Sequence, residues 1–250
     1  MQVFINGRFT AERIAKISIS DPGFVHGEGI FETLLVQDGK LQHLREHLTR
    51  LRKSAYLLKI KIPFTFTEIK TAANKLIIKN KCKKAILKII LTPQTFLIVT
   101  RDFPERPVTA RVCFVRMERC LPHLKTLNYF PTVLAQREAE RRGFDEALLV
   151  NRDGWVTEGG RTNIFWVRKG RLFTPPIGSL LEGTTREEII QLARKLQLKF
   201  SEKKVRSIDL LMADELFLTN APMGIWPIKK IEAQYKEVGK ITRLLQKNYA

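Results

Sequence analysis

A segment with two prolines near the middle of the chain, Phe103-Pro-Glu-Arg-Pro107, limits the possible folds more than any other feature of the sequence. Proline lacks a backbone N–H, so it resists helix interiors and central strands. A chain of 250 residues can form one large domain or two domains of ordinary size. We therefore predict an N-terminal α/β domain over residues 1–102, a linker at 103–107 and a C-terminal domain over residues 108–250.

Hydrophobic periodicity predicts a mixture of strands and helices on both sides of this linker. The Asn6-Gly7 pair predicts an opening hairpin whose second strand lies near residues 16–20. Thr67 is expected to open a helix over 66–80. The other predicted elements are helices at 45–59, 131–142, 185–197 and 238–248, and strands at 32–36, 41–44, 85–91, 95–100, 110–116, 146–150 and 163–168. Strands and helices alternate without a regular βαβ rhythm, which favours an α+β fold in two domains.

Composition narrows the class of protein. Hydrophobic residues make up 44% of the chain and charged residues 28%, as in globular proteins with a proper core. No apolar run approaches the roughly 20 residues that cross a bilayer. Cys82, Cys113 and Cys120 show no CxxC spacing, so we expect neither a disulfide framework nor a metal site. With no secretory signal visible, the expected location is the cytoplasm.

The net charge of +19 would suit nucleic acid, a membrane surface or a polyanionic ligand. The basic residues are spread along the chain, however, and no zinc-finger, basic-zipper or RNP-type motif accompanies them. A lysine-rich solvated surface is therefore the favoured interpretation, with part of the charge serving an anionic cofactor and substrate. A non-catalytic nucleic-acid-binding protein is the remote alternative.

Two segments of the C-terminal half suggest a ligand. Leu181-Glu-Gly-Thr-Thr-Arg-Glu-Glu188 is a glycine turn running into a helix, with capping-box spacing between Thr185 and Glu188. Such a helix start can hold a phosphate, although the segment alone fits a capped helix better. In Gly154-Trp-Val-Thr-Glu-Gly-Gly-Arg-Thr-Asn163, Glu158 lies between an apolar strand and two glycines. It is either a loop residue or a carboxylate placed to pair with a cation.

Lys125 lies in a mostly uncharged stretch between Arg119 and Arg137. A lysine that forms a Schiff base must lose its proton near neutral pH, which requires partial burial or nearby positive charge. The apolar neighbours Leu124 and Leu127 are compatible with such a site. Most lysines are simply solvated, so Lys125 alone decides nothing.

The order of these motifs resembles that of class IV (fold type IV) pyridoxal 5′-phosphate (PLP) enzymes, which include branched-chain aminotransferases, D-amino acid aminotransferases and 4-amino-4-deoxychorismate lyases. The resemblance spans nearly the whole chain and is carried by Asp21-Pro-Gly-Phe-Val-His-Gly-Glu-Gly-Ile-Phe-Glu-Thr33, Arg45-Glu-His-Leu-Thr-Arg-Leu51, His123-Leu-Lys-Thr-Leu-Asn-Tyr129, Asp145-Glu-Ala147 and the two segments above.

This resemblance implies PLP as the cofactor and a role for each matching residue. Lys125, in the C-terminal PLP-binding domain, would form the Schiff base and shuttle protons, and Glu158 would pair with the pyridine nitrogen. Arg50 would bind the cofactor phosphate. Further residues implied to contact the cofactor are Tyr129 at its phenolic oxygen, Asn163 beside the ring, Thr184 and Thr185 at the phosphate, and Asn220 and Ala221. Tyr129 lies one residue closer to the lysine than in the branched-chain enzymes.

Within the family, Thr33 and Asn220-Ala221 resemble the lyases. We therefore predict a 4-amino-4-deoxychorismate lyase that releases pyruvate and 4-aminobenzoate for folate synthesis. The alternative is a class IV aminotransferase acting on branched-chain or D-amino acids. The resemblance also implies a homodimer.

Two departures concern the substrate, which is expected to be a small amino compound bearing carboxylates. Leu35 stands where the family often has an arginine, and a loop that often binds carboxylates is shortened to Thr92-Pro-Gln94. Arg161 is the candidate replacement, because a guanidinium binds a carboxylate in bidentate fashion. It could equally be a surface cation. His26 and Phe31 are expected to line the substrate pocket with Thr33, unless they belong to the core.

Overall fold

The computed structural model describes residues 1–249 and divides into two compact units. The first unit contains Met1–Glu105 and the short segment Leu124–Asn128, and the second contains Arg106–His123 and the chain from Tyr129 onward. The first change of unit falls inside the predicted 103–107 linker. The segment that carries Lys125 packs in the first unit, whereas the sequence analysis placed it in the C-terminal domain.

The first unit is built on a six-stranded sheet in the order β2-β1-β6-β5-β3-β4, and every pair in it is antiparallel. Its strands are β1 (Gln2–Ile5), β2 (Arg8–Ala11), β3 (Ile30–Gln37), β4 (Lys40–Leu41), β5 (Ala85–Leu91) and β6 (Phe96–Asp102), and its helices are α1 (Pro22–His26), α2 (Leu44–Leu57) and α3 (Phe66–Lys79).

Strict alternation in β3 and β5 explains how this unit forms its core. Every second residue of these strands is buried, beginning with Ile30 and Ala85. The buried face packs against apolar residues of α2 and α3 such as Leu51 and Leu76. Because successive side chains point to opposite faces, the residues between them face away from this core.

Two local predictions for this unit were wrong. The strand that pairs with β1 is Arg8–Ala11 rather than residues 16–20, because Asn6 and Gly7 both have positive φ (46° and 90°) and reverse the chain at once. Helix α3 is capped by Thr65, not Thr67. Thr65 and Glu68 form a reciprocal capping box, which satisfies N–H groups at the helix start.

The second unit is built on a ten-stranded mixed sheet in which β11 and β12, β15 and β7, and β7 and β8 pair in parallel. Its strands are β7 (Ala110–Arg116), β8 (Glu146–Val150), β9 (Trp155–Gly159), β10 (Asn163–Arg168), β11 (Arg171–Thr174), β12 (Phe200–Glu202), β13 (Val205–Arg206), β14 (Glu215–Asn220), β15 (Gly224–Ile231) and β16 (Gln234–Tyr235). Its helices are α4 (Phe130–Arg141), α5 (Thr184–Lys195), α6 (Ser207–Leu211) and α7 (Lys240–Asn248). The combination of a sheet with helices in each unit confirms the predicted α+β class.

Both faces of the second sheet are buried around β10 and β14. Phe165 and Phe217 pack with α5 and α7 on one face, whereas Ile164 and Leu218 belong to the core on the other face. By the same alternation, Asn163 and Thr219 lie on the α5 face, directly opposite each other in the β10–β14 pair. Among the described residues, no helix is long and apolar enough to span a membrane.

Candidate active site

Lys125 lies in an extended segment beside the start of β3. The Phe31 N–H donates to the Lys125 carbonyl (2.9 Å), and the Leu127 N–H donates to the Gly29 carbonyl (2.8 Å). Gly29 permits this approach, because a Cβ there would lie 2.6 Å from Leu127 Cδ1. Lys125 is half-buried, and its Nζ lies 4.6 Å from the centroid of the Phe31 ring. The backbone pairing therefore holds the lysine against an aromatic face.

The face of β3 that carries Phe31 also carries Thr33 and Leu35, which are both half-buried. Lys88 pairs with Thr33 on the neighbouring strand, and its Nζ lies 6.0 Å from the Phe31 centroid. The structure thus brings together the predicted residues Phe31, Thr33 and Lys125. His26 is exposed at the end of α1.

Arg50 takes part in a buried cluster with Glu32 and His47. Its Nε donates to Glu32 Oε1 (2.8 Å) and its Nη2 donates to Glu32 Oε2 (2.6 Å). Burial alone would raise the pKa of Glu32, but the charge and hydrogen bonds of Arg50, helped by His47, lower that pKa to about 2. Glu32 therefore stays ionised and fixes the orientation of the Arg50 guanidinium. The sequence analysis missed Glu32, although Phe31-Glu-Thr33 lay within the motif.

His47 is the third member of this cluster, and its Nδ1 lies 2.7 Å from Glu32 Oε2. Burial lowers the pKa of His47, against the opposing hydrogen bond and charge of Glu32, and the positive charges of Arg50 and Lys125 lower it further. The imidazole is therefore neutral near pH 7, and its Nδ1 donates to the Glu32 carboxylate.

The shortened Thr92-Pro93-Gln94 turn is locked to the buried residue Asp21. The Thr92 hydroxyl (2.9 Å) and the Thr95 hydroxyl both donate to Asp21 Oδ2, while the Gly23 N–H donates to Oδ1 (2.7 Å). Burial opposes ionisation of Asp21, but these hydrogen bonds outweigh it and lower its pKa. The turn therefore has a structural anchor that is independent of any ligand.

In the second unit, Glu158 is buried at the end of β9, with 4% of its surface exposed. Arg119 Nη1 donates to its Oε1 (2.9 Å), and the Leu181 N–H donates to its Oε2 (3.0 Å). Both contacts stabilise the ionised carboxylate. The sequence analysis missed this role of Arg119. The signal available was only general, namely that a buried carboxylate requires a cation.

The turn after Glu158 is held by a second buried carboxylate, Glu146. The Arg161 N–H donates to Glu146 Oε1 (2.7 Å), and Arg161 Nη2 lies 3.6 Å from Glu146 Oε2. The Tyr129 hydroxyl donates to the Gly160 carbonyl (3.2 Å), and burial raises the pKa of Tyr129. Arg161 is thus engaged with Glu146, and its binding of a substrate carboxylate stays a prediction.

The start of α5 lies next to Asn163. The N-cap is Gly183, which has no side-chain cap, and Thr184 and Thr185 occupy the first turn. The predicted Thr185–Glu188 capping box is therefore wrong, because the N-cap lies two residues before Thr185. A Cβ on Gly183 would lie 2.0 Å from Asn163 Oδ1, and Asn163 Nδ2 donates to the Leu181 carbonyl (3.0 Å).

The turn between β14 and β15 begins after Asn220, the last residue of β14. Asn220 Oδ1 accepts the Met223 N–H (2.8 Å), and Asn220 Nδ2 donates to the Arg161 carbonyl (3.4 Å). The Asn220 side chain therefore closes the turn. On β14, the Thr219 hydroxyl is buried without a hydrogen-bond partner among residues 1–249.

These features of the second unit fit the phosphate and ring nitrogen of PLP. The first turn of a 12-residue helix directs N–H groups outward, and Gly183 leaves room beside Asn163. The buried Thr219 hydroxyl supplies a further group that requires a partner. Glu158 supplies an anion suited to a protonated pyridine nitrogen. No group of three or more His, Cys, Asp or Glu residues that could hold a metal ion occurs in the described part of the chain.

We expect Gly183→Ala to weaken PLP binding, because the added Cβ meets Asn163 Oδ1. Overpacking typically costs about 1–3 kcal/mol, which corresponds to roughly a fivefold to hundredfold rise in the dissociation constant. Fluorescence titration of cofactor-free protein with PLP measures this dissociation constant. Gly160→Ala is the control, since its Cβ would meet nothing closer than 3.5 Å. Equal effects of the two substitutions on PLP binding would contradict the assignment of the start of α5 as the phosphate site.

We expect Arg119→Leu to lower the free energy of unfolding by about 3–5 kcal/mol, because it removes the cation beside buried Glu158. Urea unfolding of the two proteins measures the difference. The exposed pair Arg141–Glu138, at 2.8 Å, supplies the control, and Arg141→Leu should cost less than about 1 kcal/mol. If Arg119→Leu lowered the free energy of unfolding by no more than Arg141→Leu does, Glu158 would not need this cation.

Comparisons with known proteins agree with this geometry. The family model for amino-transferase class IV matches residues 29–231. A putative branched-chain-amino-acid aminotransferase from Methanocaldococcus jannaschii is 34% identical, over 100% of this chain and 95% of the relative. A D-alanine aminotransferase from Bacillus licheniformis is 30% identical, over 94% of this chain and 89% of the relative.

Solved structures of branched-chain aminotransferases are also similar to this chain. The branched-chain aminotransferase from Thermoproteus uzoniensis with norvaline has a TM-score of 0.93 and 30% identity, covering 100% of this chain and 93% of that chain. The enzyme from T.th. with pyridoxamine 5′-phosphate has a TM-score of 0.92 and 25% identity, covering 99% and 92%. Family model, relatives and structural neighbours therefore show that this chain belongs to the class IV aminotransferases, a family of PLP-dependent enzymes.

Proposed function

We propose that this chain is an aminotransferase for amino acids with aliphatic side chains, with branched-chain amino acids as the first substrate class and small D-amino acids as the second. The observation that carries this proposal is the apolar ring of Phe31, whose centroid lies 4.6 Å from Lys125 Nζ, on a strand face that also carries Leu35. An aliphatic side chain gains free energy on such a surface. The relatives named as branched-chain and D-alanine aminotransferases support it.

The chain's own residues divide the work of the reaction. When bound, PLP supplies an electron sink for the charge left when a proton is removed beside the amino nitrogen. Lys125 would hold the cofactor covalently and, once released, carry that proton. Glu158, with Arg119 behind it, would pair with the ring nitrogen. Arg50, oriented by Glu32, would bind the phosphate.

We also propose Lys88 as a cation for the substrate carboxylate. Its Nζ lies 6.0 Å from the centroid of the Phe31 ring, which also faces Lys125. Arg161, the candidate from the sequence, is instead within ion-pair distance of Glu146. An ammonium group attracts a carboxylate through its charge without requiring bidentate geometry.

The prediction of a lyase was based on Thr33 and Asn220-Ala221. The structure offers another reason for Asn220, because its side chain closes the β14–β15 turn. The family and the relatives reported above are named as aminotransferases, so the aminotransferase alternative has the better support. Lyase activity is one of the outcomes that the assays below distinguish.

One panel of assays tests the proposed function. Purified protein is incubated separately with L-leucine, L-valine, L-isoleucine and D-alanine, each with 2-oxoglutarate, and with aminodeoxychorismate alone. We expect keto-acid formation from at least one aliphatic amino acid and no release of 4-aminobenzoate. Release of 4-aminobenzoate and pyruvate without keto-acid exchange would replace the aminotransferase by the lyase.

Two further predictions belong with this function, a homodimer and a cytoplasmic location. Light scattering of the purified protein measures the oligomeric state, and fractionation of source cells tests the location. Salt-sensitive binding of DNA at physiological ionic strength would revive the nucleic-acid alternative that the +19 charge suggested.

A further inference from the structure

Tyr249 follows the last helix and lies against the start of α5. The ring is half-buried beside the apolar cluster that contains Phe165 and Ile189. The Tyr249 hydroxyl donates to Glu188 Oε2 at 3.0 Å. Burial, together with the charge of Glu188, raises the pKa of Tyr249 against the opposing effect of the Thr185 side chain, so the phenol stays neutral. A neutral phenol can donate its proton in the hydrogen bond with Glu188.

The same ring contacts the turn between β14 and β15. A Cβ on Gly224 would lie 2.9 Å from Tyr249 Cε1, so glycine is required for this approach. Gly224 also has φ +62°, a conformation that glycine adopts without strain. Gly224 pairs with Asn220 at the end of β14. One side chain therefore contacts both structural elements that flank the predicted phosphate site.

The helix that precedes Tyr249, α7, is anchored at its start. Glu215 accepts hydrogen bonds from the Thr242 N–H and hydroxyl, both at 2.7 Å, and from the Ile241 N–H at 3.2 Å. A carboxylate at a helix N-terminus stabilises the helix. Because α7 is held at its start by Glu215, the position of Tyr249 relative to Glu188 is defined by the fold.

We propose that Tyr249 is a positioning residue that holds the N-terminal part of α5 in place for binding the cofactor phosphate. This inference rests on the proposed role of Thr184 and Thr185. It assigns part of the cofactor affinity to the segment that follows α7, through the hydrogen bond from Tyr249 to Glu188. The ring and the hydroxyl have separable functions, since the ring packs on Gly224 and the hydroxyl binds Glu188.

The test is Tyr249→Phe in the full-length protein, which removes the hydroxyl and keeps the ring. We expect the dissociation constant for PLP, titrated into cofactor-free protein, to rise about fivefold to tenfold, the effect of one hydrogen bond. Pyridoxal, which lacks the phosphate, should bind with less than about a twofold change. Tyr235→Phe is the matched control, because Tyr235 lies in the same unit with 72% of its surface exposed.

A purely structural role for Tyr249 would weaken PLP and pyridoxal equally, and that result would overturn the proposal. An unchanged PLP dissociation constant would overturn it as well. Failure of the proposed function is distinguishable, because wild-type protein would then bind PLP yet transfer no amino group from any member of the substrate panel. Unaltered thermal unfolding of the cofactor-free Tyr249→Phe protein would show that the hydroxyl acts on the site rather than on the fold.

Discussion

Lys125→Ala is expected to abolish covalent attachment of PLP and to lower the transamination rate by at least about a thousandfold. The alanine removes the amine that forms the Schiff base and the group that carries the substrate proton. The surrounding structure should persist, because Lys125 holds its place through its backbone carbonyl, which accepts from the Phe31 N–H. Borohydride reduction followed by peptide mass spectrometry measures the covalent linkage, and keto-acid formation measures the rate.

Lys84 provides the matched control for this experiment. Its Nζ lies 4.2 Å from the centroid of the Phe103 ring, so it is also a lysine over a phenylalanine face in the first unit. Lys84→Ala should still be labelled at Lys125 and should keep its activity. Covalent PLP in the Lys125→Ala protein would show that another lysine forms the Schiff base, and the assignment would fall.

Glu32→Gln is expected to cause the second large effect, because Glu32 is the anion between Arg50 and His47. Removing one member of a buried ion pair typically costs about 3–5 kcal/mol of folding stability. The substitution also frees the Arg50 guanidinium to reorient, so PLP affinity should fall with stability. Urea unfolding and PLP titration measure the two effects. Glu46→Gln is the control, since Glu46 is exposed on α2, the helix that carries His47 and Arg50.

The pH dependence of stability supplies an independent check on Glu32. Its pKa is about 2 in the folded protein against an ordinary value of 4.5, so the folded state favours the ionised form. The resulting stabilisation, about 3 kcal/mol, is complete above pH 4.5 and is lost as the pH falls towards 2. The stability difference between wild type and Glu32→Gln should shrink over that interval. A difference that is independent of pH would mean that Glu32 is not the titrating group.

Sequence patterns predicted many elements because their signals are local. The strands at 110–116, 146–150 and 163–168 have the predicted bounds, since continuous apolar runs between turns specify buried strands. Helix starts were predicted less well. Thr65 and Gly183, rather than Thr67 and Thr185, are the N-caps, because several neighbouring residues could satisfy the same capping pattern.

The family and the cofactor could also be predicted from the sequence, because several motifs occur in one order along the chain. The choice between lyase and aminotransferase could not be made from the sequence. Thr33 and Asn220 favoured the lyase, yet the Asn220 side chain also has a role in the backbone turn, because it accepts the Met223 N–H. A polar residue at a turn can serve the turn itself, so its identity is weak evidence about a reaction.

The sequence by itself determined the α+β class, the longer helices and several strands of both units, and the identity of Lys125 as the reactive candidate. Tertiary structure decided which residues surround the candidates. Glu32 meets Arg50 across 18 positions, Arg119 meets Glu158 across 39, and Tyr249 meets Glu188 across 61. No periodicity connects residues so far apart in the chain. Their pairing follows only when strands and helices pack and a buried charge must find its partner.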